Sequence, residues 1–228
     1  AFNPDKIIYI DYPGFNLRIC DWAKKKGFNN YYYISPQIWA WKEGRIKKIR
    51  RSIDKLFVIF PFEKKYYSNK HNMETFYFGH PLIEAINSHI TNTNFLNENN
   101  IPNDKPIIAF LPGSRVQEIK TMLPIFLSII SSYPKYNFII AGVNNVDRKL
   151  YNLGKHSNLF IVYNNTYDLL NNSFAAIVTS GTASLECSLF KVPQLVCYKT
   201  SFISFFIGKL FVRLEHISLV NIILEKGV

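Results

Sequence analysis

With 228 residues, 48 % of them hydrophobic and 19 % charged, the chain has enough apolar material for a buried core, which excludes intrinsic disorder. At about 100–200 residues per domain, this length holds one large domain or two small ones. A formal charge of +11, from 27 Lys and Arg against 16 Asp and Glu, narrows the partners to nucleic acid, an anionic membrane surface or a phosphorylated substrate. Runs rich in Ile, Val, Phe and Tyr predict strands at Lys6–Ile10, Tyr31–Ile34, Lys55–Phe60, Thr75–Phe78, Ile107–Leu111, Asn137–Ala141, Leu159–Tyr163, Ala175–Val178 and Gln194–Tyr198. Helical periodicity predicts helices at Phe15–Lys26, Arg45–Ile53, Val116–Ser131, Thr166–Asn172 and Thr182–Phe190. Strands alternating with helices over short links indicate an α/β fold of parallel sheets covered by helices.

The internal boundary is expected at Gly79-His80-Pro81, which makes residues 1–79 one α/β domain and residues 80–228 most of a second. The polar, Asn-rich stretch Asn92–Asn103 reads as a surface insertion. No apolar run approaches the roughly 20 residues that span a bilayer, and no signal peptide precedes the first strand. Cys20, Cys187 and Cys197 lack a paired spacing, which suits reduced thiols in a cytosolic protein. The histidines show no metal-ligand spacing, and no serine-hydrolase or Walker pattern is present.

Two glycine turns follow strands. Gly113-Ser114-Arg115 ends one strand and opens a helix, where free N–H groups and a forked guanidinium suit a phosphate or diphosphate. Ser114-Arg115-Val116-Gln117 reads equally well as a capping box. The second turn, Ser180-Gly181-Thr182, leads to Glu186, which shares a helix face with Thr182 and could accept bonds from ribose hydroxyls or simply face solvent. Asp11, directly after the first strand, fits either a general base or a helix cap. Trp39 and Trp41 lead into a basic helix with Arg45, Lys48 and Arg51, a pairing that suits an anionic bilayer, single-stranded nucleic acid or a merely solvated face. The amphiphilic run Phe202–Ile207, with Lys209 and Arg213, adds to the membrane reading and also fits a core helix.

Taken together, these motifs resemble the lipid-A-disaccharide synthase family. The matching residues are Ile10-Asp11-Tyr12-Pro13-Gly14-Phe15-Asn16, Ser35-Pro36-Gln37-Ile38-Trp39-Ala40-Trp41, Phe60-Pro61-Phe62-Glu63-Lys64, Phe78-Gly79-His80-Pro81, Leu111-Pro112-Gly113-Ser114-Arg115 with Glu118-Ile119, Ser180-Gly181-Thr182 through Glu186, and Ile217-Ser218-Leu219 with Asn221. The resemblance implies two Rossmann-like domains of glycosyltransferase-B type, the first truncated, with a site in the cleft between them. It implies an inverting transferase, needing neither metal nor cofactor, that joins UDP-2,3-diacylglucosamine to 2,3-diacylglucosamine 1-phosphate with release of UDP. By this resemblance Asp11 is the base. Arg115 with Gly113 and Ser114 holds the diphosphate, Ser180, Gly181 and Thr182 lie near the phosphates, Glu186 binds ribose, and Asn221 lines the donor pocket.

The same resemblance places the protein in the cytoplasm, peripheral on the inner face of the bacterial inner membrane. It needs no nucleic-acid partner and allows a homodimer. The family's GExSGD and VPELLQ-like stretches have no counterpart here, and Val220 stands where the family has Pro. The chain therefore reads as an internal piece, expected to be inactive alone. The rival readings are another UDP-sugar enzyme of the same fold, a transferase or a 2-epimerase, and a basic nucleic-acid-binding module.

Overall fold

The computed structural model describes residues 4–151, 154, 156–179, 181–199 and 219–224. The expected run Phe202–Ile207 with Lys209 and Arg213, the Ile217-Ser218 pair and Ser180 lie outside these residues. The chain divides into two compact units, and among the described residues the division falls between Ile83 and Glu84.

The first unit is a four-stranded parallel sheet in the order β1 (Lys6–Ile10), β2 (Asn29–Tyr33), β3 (Lys55–Val58) and β4 (Phe76–Tyr77). The connecting helices are α1 (Pro13–Lys25), α2 (Ile46–Ser52, preceded by a 3-10 turn at Glu43–Arg45) and α3 (Pro61–His71). Tyr9 pairs with Tyr32, and Tyr32 with Leu56, across the sheet. All three are buried in one cluster with Leu17 and Cys20 of α1, Ile49 of α2 and Tyr67 of α3. The period-2 alternation puts Ile8 and Ile10 on the opposite face, where they are 66 % and 61 % exposed. Inside the covered face, Asn30 is fully buried and donates to the Cys20 and Ser52 carbonyls (2.8 and 2.7 Å), tying both helices to β2.

α3 has no counterpart in the sequence reading, and β3 stops short of the expected Phe60. One residue explains both differences. The Ile59 and Phe60 N–H groups leave the ladder and donate instead to Glu63 Oε2 (both 3.0 Å), which closes the first turn of α3.

In the second unit, α4 (Pro81–Asn87), which straddles the division, and α5 (Phe95–Glu98) precede a five-stranded parallel sheet. Its strands are β5 (Ile107–Leu111), β6 (Asn137–Gly142), β7 (Leu159–Tyr163), β8 (Ala175–Thr179) and β9 (Gln194–Cys197), ordered β7-β6-β5-β8-β9. β5 and β6 are buried almost throughout, as parallel strands covered on both faces must be. One face packs α6 (Val116–Ser128) through Ile119, Met122, Leu123 and Phe126 onto Phe110 and Phe138. The other carries α7 (Thr166–Asn171) and α8 (Thr182–Leu189) through Leu169, Leu170 and Cys187. The short helix α9 (Leu219–Leu224) packs against α8.

The stretch Asn92–Asn103, expected to be a surface insertion, is instead anchored in the core. Phe95 and Ile101 are 1 % and 4 % exposed and join the core under α7. Buried Asp168 anchors the start of the segment, accepting from the Asn92 N–H (2.9 Å) and lying 2.9 Å from His89 Nε2. Two apolar side chains among many Asn residues give no visible period, so the segment looks like low complexity. Asp168→Ala is expected to cost about 1–2 kcal/mol and to raise amide exchange across residues 89–101 before the sheet loosens. Hydrogen exchange of the variant checks this.

Candidate active site

The order of the second sheet decides where its site lies. From β5 the chain crosses to β6 on one side, and from β8 to β9 on the other. The carboxyl ends of β5 and β8 therefore flank the point where the winding reverses, which is where open α/β sheets bind ligands. Leu111 pairs with Val178, so the two glycine turns start side by side. Gly113 has φ 105° and Gly181 φ 132°, backbone shapes that favour glycine. Thr182 stands exposed at the start of α8.

The first turn closes differently from the expected Ser114–Gln117 box. Arg115 is the cap of α6, and the carboxylate three residues on belongs to Glu118. Glu118 Oε2 accepts from the Ser114 and Arg115 N–H groups (3.1 and 3.3 Å), while Oε1 pairs with Arg115 Nη1 at 2.6 Å. The Arg115 side chain is otherwise open, 80 % exposed. A Cβ built on Gly113 would lie 2.7 Å from Glu118 Cβ, which side-chain rotation does not move, so the glycine is required by the first turn of α6 as well as by its φ.

Glu186 lies on α8, half-buried, beside the Tyr167 hydroxyl of α7. Burial pushes its carboxyl above the ordinary range, and the neighbouring Tyr167 hydroxyl opposes this in part. Both residues line a cavity of about 350 Å³ with Asn164, Asn165 and Thr166 from the end of β7. Asn221 lies on α9, the helix that packs on α8. Tyr167 carried no sequence signal, because its pairing with Glu186 joins two helices distant in the chain.

In the first unit, Asp11 and Tyr12 both have φ 45°, an uncommon conformation for adjacent non-glycine residues. The Asp11 backbone is held from both sides. Its N–H donates to the Tyr33 carbonyl (2.9 Å), and its carbonyl accepts from the Tyr32 hydroxyl (2.5 Å) and Asn16 Nδ2 (2.7 Å). The alternative reading of Asp11 as a helix cap does not hold, since Tyr12 is the cap of α1 and Pro13 its first residue. Among the described residues, the exposed Asp11 carboxylate makes no hydrogen bond or ion pair.

The aromatic–basic set separates into parts. Trp41 is 43 % exposed, with Lys42 Nζ 4.4 Å and the Arg45 guanidinium 5.2 Å from its ring. Trp39 faces inward, donating to Glu63 Oε1 (3.0 Å) and meeting Phe62 edge-on. Arg51 is paired with Asp21 at 2.7 Å, and Lys48 is half-buried on α2. Among the described residues, no helix is long and apolar enough to cross a membrane.

Glu63 is the residue whose importance the sequence left unstated. Fully buried, it accepts from Ile59, Phe60, Trp39 and Ser35 (3.2 Å), joining the Ser35–Trp41 loop to α3. The signal that could have found it is Pro61 at the first helical position, with an acid two residues on.

The model of the lipid-A-disaccharide synthetase family matches residues 1–228. The lipid-A-disaccharide synthase of Coxiella burnetii (strain Dugway 5J108-111) is 38 % identical over 224 residues, covering 96 % of this chain and 59 % of the relative. Lipid-A-disaccharide synthase 1 of Legionella pneumophila (strain Paris) is 41 % identical over 235 residues, covering 98 % of this chain and 60 % of the relative. The chain thus spans about three-fifths of the length of these curated relatives. Among solved structures, UDP-GlcNAc 2-epimerase from Neisseria meningitidis bound to UDP-GlcNAc aligns with TM-score 0.61 at 16 % identity, over 97 % of this chain and 67 % of that one. At such identity the likeness is one of fold, two parallel sheets flanked by helices, as expected from the sequence. The family match over all 228 residues, with relatives at 38 % and 41 % identity, shows that the chain belongs to the lipid-A-disaccharide synthetase family.

Proposed function

We propose that the protein is an inverting, metal-independent glycosyltransferase that condenses UDP-2,3-diacylglucosamine with 2,3-diacylglucosamine 1-phosphate, giving lipid A disaccharide 1-phosphate and UDP. The observation that carries this reading is the pair of glycine turns at the switch point of the second sheet, with Arg115 on one and Glu186 four residues beyond the start of the other's helix. The second unit, residues 80–228 in the sequence division, is the UDP-sugar-binding domain. The first, residues 1–79, is the remainder of the acceptor-side domain.

Departure of UDP builds negative charge on the diphosphate. Arg115 and the N–H groups at the start of α6 stabilise that charge, with Ser114, Ser180, Gly181 and Thr182 around the phosphates. Glu186 accepts from the ribose hydroxyls, and the cavity beside it, bounded by Asn164–Thr166, takes the nucleoside. Asn221 completes the donor pocket. Asp11, with an uncommitted carboxylate, takes the proton of the acceptor hydroxyl as the glycosidic bond forms.

Both substrates carry acyl chains. The exposed Trp41 with Lys42 and Arg45 is suited to the headgroup layer of an anionic membrane, which supports the reading of a protein peripheral on the inner face of the inner membrane. The 228-residue chain alone is expected to be inactive. The epimerase likeness adds the fold and no argument for epimerisation.

The test is direct. The full-length protein incubated with both acylated sugars should release UDP and form the disaccharide, and the absence of both products would end the synthase reading. Arg115→Ala should weaken UDP binding roughly 10- to 100-fold by titration calorimetry. Unchanged affinity would remove the diphosphate from this turn.

A further inference from the structure

We infer that Glu118 is the Arg115 turn's own anion, competing with an incoming diphosphate for the same donors. The inference rests on the diphosphate reading of Arg115 given above. One carboxylate takes three donors that a phosphate would use: the Ser114 and Arg115 N–H groups and Arg115 Nη1. An amide carries a single proton, so the two N–H groups cannot serve a phosphate oxygen fully while Glu118 holds them. The Arg115 guanidinium has five donors and can bind a phosphate while keeping Glu118. Competition is therefore sharpest for the backbone.

Position agrees with this. A Cβ on Gly113 would meet Glu118 Oε2 at 2.5 Å and Glu118 Cβ at 2.7 Å, so the Glu118 side chain lies over the stretch of backbone that a ligand would approach. Glu118 sits in the first turn of α6, and its side chain is 29 % exposed. Rotation of that side chain alone releases the donors to solvent-side ligands, and the helix does not have to move. The carboxylate thus has two effects of opposite sign. It satisfies orphan donors and keeps the turn formed, and it lowers affinity for any second anion.

The sign of one substitution separates this role from plain helix capping. Glu118→Gln removes the charge and keeps the size. Titration of the protein with UDP and with inorganic pyrophosphate should show both binding roughly three- to tenfold more tightly in the variant. The melting temperature should fall slightly as the cap weakens. Chemical shifts of the Ser114 and Arg115 amides should respond to UDP at a lower concentration than in the parent protein. If Glu118 is only a cap, the variant binds both ligands equally or more weakly, and the inference is overturned. Glu118→Asp keeps the charge on a shorter arm and guards against a gain due to loosening. A gain as large as that of Glu118→Gln would also overturn it. If Arg115→Ala leaves UDP affinity untouched, the diphosphate reading fails and takes this inference with it. A weaker Arg115→Ala with no gain in Glu118→Gln sinks the inference alone.

Discussion

In the full-length protein, Asp11→Asn is expected to lower kcat by roughly 10²- to 10⁴-fold while UDP affinity changes less than twofold. The choice of Asn matters. Asp11 sits at φ 45°, a region that Asn and Asp enter more readily than other non-glycine residues. Its backbone N–H and carbonyl are tied to Tyr33, Tyr32 and Asn16, and these bonds do not involve the carboxylate. The amide variant should therefore keep the turn and remove only the ability to take a proton. Asp11→Ala would confound the result, because alanine is strained at this φ. Steady-state kinetics with a parallel UDP titration provide the check. A loss of UDP binding equal to the loss of rate would move Asp11 from base to support.

Glu63→Gln is expected to destabilise the first unit by about 2–4 kcal/mol. The carboxylate accepts from four groups: the Ile59 and Phe60 N–H groups at Oε2, and Trp39 Nε1 and the Ser35 hydroxyl at Oε1. A glutamine offers one acceptor oxygen and one donor NH₂. Whichever way its amide turns, buried N–H groups face another donor. All three tryptophans, Trp22, Trp39 and Trp41, belong to the first unit, so tryptophan fluorescence during denaturant unfolding reads its stability directly. A midpoint within experimental error of the parent would show that the network is dispensable.

The same pair of proteins carries a pH signature. Burial raises the Glu63 carboxyl above the ordinary glutamate value, outweighing its four donors. The folded protein therefore takes up this proton before the unfolded chain does. Stability contributed at Glu63 grows as pH falls through its raised value towards the ordinary one. The gap between parent and Glu63→Gln should widen over that window. Asp21, Glu43 and Asp54, held low by Arg51, Lys70 and Lys24 against their own partial burial, act the other way, and their contribution is lost only at lower pH.

Elements with a strong local pattern were legible. β5, β6 and β8 are continuous apolar runs, and α6 shows helical spacing at Ile119, Met122, Leu123 and Phe126. α3 was not, because its buried positions are Glu63 and Tyr67, a charge and a phenol among lysines. The Ser114–Gln117 box was a sound local reading, one residue away from the carboxylate that closes the turn. Trp39 and Trp41 look equivalent in a basic stretch. Only Trp41 faces outward, because Glu63, 24 residues after Trp39, takes the other indole N–H.

Local chemistry in the chain was enough to determine the α/β class, the two glycine turns after strands, and the family to which those motifs belong. Each rests on side-chain periodicity or on residue types within a few positions. The tertiary structure alone decided that β5 lies between β6 and β8, so that both turns open at a switch point. It also decided that Glu118 holds the Arg115 turn, that Tyr167 meets Glu186, and that Glu63 is buried among four donors. Strand order and the burial of a polar group depend on pairings between distant segments, and only the folded chain brings those segments together.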